Sequence, residues 1–137
     1  MTVISRPDQS EFAVAVRRNC FDRCVITGAS LRQRTEAAHL VEHKHGGADH
    51  HSNGLLLRTD IHKLFDNNML AICPDTLIVY VCADALAADH DLTAYHGKRI
   101  ADTRQPVNPE YLAARWADFQ RLNKNTGVPT NSKFQTP

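Results

Sequence analysis

The sequence predicts a single α+β domain, and three observations carry this prediction. Residues 36–66 are patterned in the order strand, loop, strand and helix, and a second hairpin pattern follows. Amphipathic helix patterns stand before and after these segments. The chain has 137 residues, of which 42% are hydrophobic, which suits one domain with a small core. We expect that domain over residues 1–124 and a flexible, polar tail over residues 125–137.

The two helix patterns near the chain ends each have a recognisable start. Ser10 is a candidate N-cap for the first helix, and Pro109 is suited to the first turn of the second. Their apolar faces are formed by Phe12, Val16 and Cys20 in the first helix and by Leu112, Trp116, Phe119 and Leu122 in the second.

The central pattern is a hairpin followed by a short helix. The segments "RTEAAHLV" and "GLLLR" read as strands, and "EHKHGGADHHSN" between them reads as a polar loop with a Gly-Gly pair. The helix "DIHKLFD" is expected to be capped by Thr59 or Asp60 and to end at Asn67. A second hairpin is expected from "MLAI" and "LIVYV", which turn across Pro74 and Asp75.

The net charge of +1 is uninformative, but the distribution of charge along the chain is uneven. Residues 1–35 carry six Arg against three acids, and residues 98–137 carry seven Lys or Arg against three acids. The segment 36–97 carries nine acids against three basic residues, together with all eight histidines. This distribution is compatible with a polyanion bound by the flanks and a cation bound in the centre, or with ordinary surface charge.

Several classes of protein are disfavoured. No apolar run approaches the roughly 20 residues of a membrane span, and no signal-peptide pattern opens the sequence. We therefore expect no membrane contact and a cytoplasmic location, with release by a specialised secretion system as the alternative. The spacing of Cys20, Cys24, Cys73 and Cys82 fits neither a zinc ribbon nor a disulfide framework, so we expect buried free thiols.

Six of the eight histidines fall within residues 36–66, which points to a site. His62 and Asp66 lie four residues apart on the predicted helix, so they share a face and form a natural pair of metal ligands. His39 lies on the first strand of the hairpin. Because the hairpin needs the helix to cover its apolar residues, His39 is expected to reach the same cleft.

The pattern "AAHL…GG…NGLLLRTDIHKLFD" resembles the HNH endonucleases, a branch of the ββα-metal (His-Me finger) nucleases. The resemblance is greatest to the branch with Ala-His, Asn-Gly-Leu and His-x-x-x-Asp, and it covers residues 24 to about 72. It implies a ββα-metal module at about residues 34–68, here with flanking helices and an additional β-hairpin.

The resemblance implies a role for each polar anchor. His39 corresponds to the general base that activates water, and Asn53 to the residue that ties the loop and holds that base. His62 corresponds to a ligand of a single divalent metal, and Asp66 falls where some relatives place a further ligand. The metal implied is one divalent ion, with Mg²⁺ first and Mn²⁺, Ni²⁺ or Zn²⁺ as alternatives.

One position departs from many members of that family. They place a metal ligand immediately before the general base, where this chain has Ala38, which cannot coordinate a metal. Glu36, two residues earlier, is the candidate substitute, with a solvated carboxylate or an ion pair to Arg34 as the alternative. Asp66 also has an alternative role, in which it bonds the amides of a loop.

Four basic or imidazole side chains are candidate DNA contacts. They are Arg58 and Lys63, which flank the site, and His43 and His45 in the loop. The alternative for Lys63 is an exposed salt bridge. The alternative for the loop histidines is that they are simply solvated.

The sequence therefore predicts a metal-dependent DNA endonuclease in which His39, Asn53 and His62 carry the chemistry, acting on double-stranded DNA. A homodimer is left open. Two alternatives come from other classes of protein. One is a non-catalytic nucleic-acid-binding protein that keeps the ββα scaffold, and the other is a structural zinc module built on the cysteines.

Overall fold

The computed structural model of the chain describes residues 10–123, so the tail predicted over residues 125–137 lies outside the described residues. Within that range the α-helices are α1 (Glu11–Asn19), α2 (Thr59–Asp66), α3 (Ala83–Ala88) and α4 (Pro109–Leu122). The strands are β1 (Thr35–His39), β2 (Gly54–Arg58), β3 (Leu70–Ile72) and β4 (Val79–Val81). Short 3₁₀ turns occupy Arg32–Arg34, His43–His45, His51–Asn53 and His90–Ala94.

β1 and β2 form the predicted antiparallel hairpin, and α2 follows β2 without a break. Thr35 pairs with Arg58 at one end of the hairpin and His39 pairs with Gly54 at the other. A second antiparallel pair joins β3 and β4, with Leu70 opposite Val81. The predicted α+β class is confirmed, with the order strand, loop, strand, helix at its centre.

The start of α2 differs from the prediction. The helix begins at Thr59, the residue at the cap position is Arg58, and no side-chain cap hydrogen bond forms there. Instead the Asp60 carboxylate accepts two hydrogen bonds from the Arg58 guanidinium, at 2.6 and 3.0 Å. The expectation that Thr59 or Asp60 caps the helix is therefore wrong, because this pair occupies the carboxylate.

α1 packs against the end of the hairpin, at a position where only glycine fits. Ser10 caps α1 as predicted, since its Oγ accepts from the Ala13 amide at 3.0 Å. A Cβ at Gly54 would lie 2.7 Å from Phe12 Cζ and would also collide with Val16 Cγ2. Because Gly54 has no side chain, α1 can pack closely against β2 at this position, which lies opposite His39 in the hairpin.

α4 covers the second hairpin and completes the core. Leu112, Trp116 and Phe119 are fully buried, as the apolar pattern predicts. Leu122 is 56% exposed, so its expected place on the buried face is wrong. It is the last residue of α4, and the buried face ends one turn earlier at Phe119.

The four cysteines are free and buried, as predicted. Burial raises the pKa of the Cys20 thiol to about 11, with the hydrogen bond that Sγ accepts from the Leu56 amide as a smaller, opposing effect. These thiols pack as small hydrophobic groups, which does not support the structural zinc module. Among the described residues, no helix has both the length and the apolar character needed to cross a membrane.

We predict that Gly54→Ala destabilises the protein by about 1–3 kcal/mol, the usual cost of overpacking a core. The added methyl group must push α1 away from the hairpin, and urea denaturation measures the loss. Phe12→Leu removes the ring atoms that the methyl meets, so the double variant should lose less stability than the sum of the two single variants. Wild-type stability in Gly54→Ala would contradict this account of the packing.

Candidate active site

His39 is the last residue of β1, and its ring is fixed from two sides. It stacks on Phe12 of α1 with the ring centroids 3.8 Å apart and the planes 3° from parallel. Its Nε2 lies 2.9 Å from Asp49 Oδ1, in the loop that joins β1 to β2. The side chain is 28% exposed, so the ring is held in place and still reaches solvent.

The Asp49 contact determines which nitrogen of His39 can act as a base. A carboxylate only accepts hydrogen bonds, so Nε2 is the nitrogen that donates to it. In the neutral imidazole the lone pair then lies on Nδ1. An acid that fixes the ring and the tautomer of a histidine is the arrangement that a general base requires.

Asn53 is fully buried and ties the loop between the strands to itself. Its Oδ1 accepts from the Val41 amide at 2.8 Å, and its Nδ2 donates to the carbonyl oxygens of Val41 and Ala48, both at 2.9 Å. Both amide hydrogens are therefore used by the loop backbone. Asn53 holds His39 through the chain that follows the strand, and not by a hydrogen bond donated to the ring.

Gly47 belongs to the same closure of the loop. A Cβ at this position would fall on the carbonyl group of Val41, the residue that Asn53 binds. The second glycine of the Gly-Gly pair is thus required for steric reasons, since the backbone of residue 47 passes directly over that of residue 41.

His62 projects from α2 between two carboxylates. Its Nδ1 lies 2.7 Å from Glu36 Oε1 on β1, and its Nε2 lies 3.2 Å from Asp66 Oδ2, one turn further along α2. Burial lowers the pKa of His62, but the hydrogen bonds to Asp66 and Glu36 outweigh it, and the net shift is upward. The structure therefore brings together the three residues predicted as metal ligands.

Glu36 and Asp66 sit on opposite sides of the imidazole ring. The two nitrogens of an imidazole point away from each other, so an ion bound at Nε2 beside Asp66 is not shared with a carboxylate bonded to Nδ1. In this structure Glu36 therefore bonds the nitrogen of His62 that points away from Asp66, and its role as a metal ligand stays a prediction. Ala38 is fully buried and has no access to the site.

The two histidines open onto one shared cleft of about 190 Å³. Its walls are formed by Ala37, His39, Glu42, His62, Asp66 and Arg115. The cleft unites a candidate base with a candidate ligand pair, although these groups come from a strand and a helix that are separated by the loop.

Arg115 of α4 lies in the cleft, although its place there was not predicted from the sequence. Its Nε donates to the Leu40 carbonyl at 2.6 Å and its Nη2 to the His39 carbonyl at 2.8 Å. Nη1 donates to the Phe65 carbonyl at 3.4 Å, and the guanidinium lies 4.1 Å from the centre of the Phe65 ring. One side chain thus joins the end of β1 to the end of α2.

The same guanidinium also engages two carboxylates. Nη1 lies 3.0 Å from Asp66 Oδ1, and Nη2 lies 3.7 Å from Glu42 Oε1. Burial raises the pKa of Asp66, but His62 and Arg115 outweigh it and the net shift is downward. Five acceptors therefore face the five N–H groups of Arg115, whose side chain is only 12% exposed.

The imidazole and carboxylate groups of the cleft are suitable ligands for a divalent cation, and the spacing of the His62–Asp66 pair also fits one. Adjacent ligands of an octahedral ion with bonds of ~2.1 Å lie ~3.0 Å apart, close to the 3.2 Å between His62 Nε2 and Asp66 Oδ2. Across residues 10–123, no group of three or more His, Cys, Asp or Glu side chains is arranged to hold a metal ion. Two protein ligands are enough for Mg²⁺, which keeps most of its waters.

The candidate DNA contacts differ in their availability. Arg58 donates hydrogen bonds to Asp60 and is therefore already paired. These hydrogen bonds are the main reason why the pKa of Arg58 is raised and the pKa of Asp60 is lowered. Lys63 and His45 are exposed. The side chain of His43 lies outside the described part of the structure.

Sequence reasoning also missed two partners of His39. Asp49 lies in the segment that the sequence predicts as a polar loop, and nothing in its spacing marks it as the partner of His39. Phe12 was predicted as a core residue, which it is, but its stacking on His39 depends on how α1 approaches the hairpin. For Arg115 a signal existed, since a charged residue three positions after Leu112 borders the buried face of α4.

Comparison with a family model supports the resemblance over part of the chain. Residues 24–73 match a family model described as HNH endonuclease. A solved structure titled "Modification dependent TagI restriction endonuclease" aligns with a TM-score of 0.48 and 24% sequence identity. The alignment covers 84% of this chain and 38% of that protein, so this chain spans well under half of its length. The search of curated proteins gives no significant match.

The matched segment contains β1, β2 and α2, and it therefore supplies every wall of the cleft except Arg115. The similarity to the HNH endonuclease family thus covers residues 24–73 of this chain, which hold both strands of the hairpin and the helix α2.

Proposed function

We propose that this chain is a metal-dependent endonuclease that hydrolyses phosphodiester bonds in double-stranded DNA. The observation that carries the proposal is the cleft itself, in which His39 faces the same solvent-filled space as His62 and Asp66. Hydrolysis of a phosphodiester needs a base to activate water and positive charge to stabilise the phosphate and the leaving oxygen. The two sides of the cleft offer these two functions.

His39 is the proposed general base. Asp49 holds Nε2, so the proton of the attacking water passes to Nδ1, and the carboxylate stabilises the imidazolium that forms. Phe12 limits rotation of the ring from the other face. Asn53 contributes by fixing the chain that carries His39 and the loop that carries Asp49.

His62 and Asp66 are the proposed ligands of one divalent ion, with Mg²⁺ as the first candidate. Such an ion would act as a Lewis acid on the phosphate and would stabilise the leaving oxygen. Glu36 holds Nδ1 of His62 and so presents Nε2 to the cleft, as carboxylates behind metal-bound histidines commonly do.

Arg115 is the proposed positioning residue of the cleft. Its N–H groups are directed to protein acceptors, so it is suited to holding Asp66 and the end of β1 in place and poorly suited to gripping a phosphate. We also propose the cytoplasm as the compartment, supported by four cysteines that remain free thiols.

We predict that the purified protein nicks or linearises supercoiled plasmid DNA when Mg²⁺ or Mn²⁺ is present. His39→Ala should lower the rate about 10²–10⁴-fold, the usual contribution of a general base. Asp49→Asn should lower it by a smaller factor, because the ring remains but its tautomer is no longer fixed. Gel analysis of the initial rate of plasmid conversion gives both values.

Asp91→Asn is the matched control for this assay, since Asp91 is an exposed carboxylate in a 3₁₀ turn outside the cleft. Retardation of plasmid without cleavage in every metal would favour the non-catalytic nucleic-acid-binding protein. Full activity in His39→Ala would exclude the proposed base.

We predict that Mn²⁺ binds the protein in the absence of DNA, and that His62→Ala and Asp66→Asn each weaken this binding at least tenfold. Glu36→Gln should weaken it about 10–100-fold through loss of the ring orientation. Electron paramagnetic resonance of free Mn²⁺ measures the affinity without any cleavage. Asp60→Asn alters a carboxylate on the same helix that Arg58 binds, and an equal effect of this control would contradict the assignment.

We predict that Arg115→Met lowers the free energy of unfolding by about 3 kcal/mol, since it leaves several partly buried acceptors without their donor. Arg115→Lys should recover only part of the loss. It keeps a positive charge, but an ammonium cannot bond the ends of β1 and α2 at once. Urea denaturation measures both variants. Arg121→Met, an exposed position of α4, is expected to stay within about 0.5 kcal/mol of wild type, and an equal loss in both variants would refute the role of Arg115.

A further inference from the structure

A second groove, of about 410 Å³, lies at the C-terminal end of α1 and is strongly cationic. Four guanidinium groups and one carboxylate line it, from Arg17, Arg18, Arg32, Arg104 and Asp22. Clustered like charges repel one another, so such a groove is suited to an anionic ligand. With the exception of Arg32, these residues lie outside segment 24–73, so the family match does not account for the groove.

One side of the groove is formed by a buried arginine with fixed hydrogen-bond partners. The Arg17 side chain is nearly fully buried and donates to Thr35 Oγ1 at 2.9 Å and to the Thr35 carbonyl at 2.7 Å. This cation is thus fixed to the first residue of β1. Because Thr35 holds the Arg17 guanidinium in place, Arg17 adds a fixed positive charge to the groove.

The other side is organised by an exposed aromatic ring. Phe21 is 48% exposed and has a left-handed backbone with φ of 56°, which is uncommon for a bulky residue. The Arg104 guanidinium lies 4.2 Å from the centre of this ring, and its Nε donates to the Arg18 carbonyl at 2.9 Å. Stacking uses the flat face of a guanidinium and leaves the N–H groups at its edge for acceptors.

The loop that carries Arg104 is also anchored to α1. The Arg104 amide donates to the Asn19 carbonyl at 2.9 Å. The Asn19 side chain exchanges hydrogen bonds with the backbone of Gln105, at 2.8 and 3.0 Å. Arg104 is therefore held against the end of α1, and the groove is a defined part of the fold.

The groove is connected to the cleft by α1. Phe12 at the start of α1 meets His39 at the end of β1, and Arg17 meets Thr35 at its start, so helix and strand run side by side in opposite directions. Four residues of strand span about 13 Å. At 3.4 Å per base pair this distance equals about four base pairs of duplex DNA.

The surface between the two sites is exposed. Glu11, Val14 and Arg18 occupy positions i, i+3 and i+7 of α1, which share one face, and all three are exposed. A duplex that lies over His39 can thus follow α1 to the groove, and the carboxylate of Glu11 lies in its path.

We propose that this groove binds the sugar–phosphate backbone of the DNA substrate about four base pairs from the scissile phosphate. The inference rests on the proposed function for the identity of the ligand. Arg18 and Arg104 supply the phosphate contacts, Arg17 supplies fixed charge beneath them, and Phe21 supports the Arg104 guanidinium. The groove thereby sets the register of the duplex in the cleft without reading its bases.

Binding to a 24-base-pair duplex tests the proposal without any cleavage. Fluorescence anisotropy in EDTA, repeated over a range of KCl concentrations, gives the dissociation constant and its salt dependence. The variant that combines Arg18→Ala and Arg104→Ala should bind roughly tenfold more weakly per lost phosphate contact at 0.1 M salt and should lower the slope of the salt dependence by about 2. The control combines Arg99→Ala and Arg121→Ala, which removes the same charge from two exposed pairs elsewhere.

A second variant keeps the test valid if the double substitution disturbs the loop of Arg104. Arg18→Glu changes only an exposed side chain, and it should abolish ethylation interference at one of two sets of phosphates that lie about four base pairs apart. Equal affinity and slope in the Arg18/Arg104 variant and the control would overturn the groove, as would an unchanged interference pattern in Arg18→Glu. Both results are independent of plasmid cleavage, which decides the proposed function.

Discussion

One guanidinium closes the back of the cleft. Arg115 comes from α4, yet its contacts are with the last residues of β1 and of α2, which carry the candidate base and the candidate ligand. The family match ends at residue 73, before this residue. The matched segment therefore has its own hairpin and helix, but the ends of β1 and α2 are held together by the side chain of Arg115, which lies much later in the sequence.

A complementary constraint acts on the opposite side of His39. α1 can place Phe12 against the imidazole only because Gly54, directly across the hairpin, has no side chain. The ring is then fixed by an aromatic face on one side and by Asp49 at its edge. Flanking helices on both sides thus set the geometry of a site whose principal groups belong to the central module.

The elements and the polar anchors could be predicted because they depend on short-range patterns. The alternation of β1 and β2, the spacing of His62 and Asp66 on one helical face, and the apolar stripe of α4 are local in sequence. Residues such as Arg115 and Asp49 could not be assigned, because their roles depend on which segments meet in three dimensions. Glu36 shows this limit, since the sequence placed it near the candidate metal ligands but could not show which nitrogen of His62 it would bond.

The positive charges of the protein are distributed differently near the cleft and at the end of α1. Near the cleft, Arg58 is neutralised by Asp60, and Arg115 by Asp66 and Glu42. Carboxylates that could bind a cation would repel a phosphate, so the cleft without its ion is a poor binding surface for DNA. In the proposed function, attraction of the polyanion then comes from a cation in the cleft and from charges outside it. The four arginines at the end of α1, opposed by a single carboxylate, are placed to supply the second of these. In the proposed function the two tasks are divided, so that the acids of the centre serve the metal while the basic flank holds the substrate.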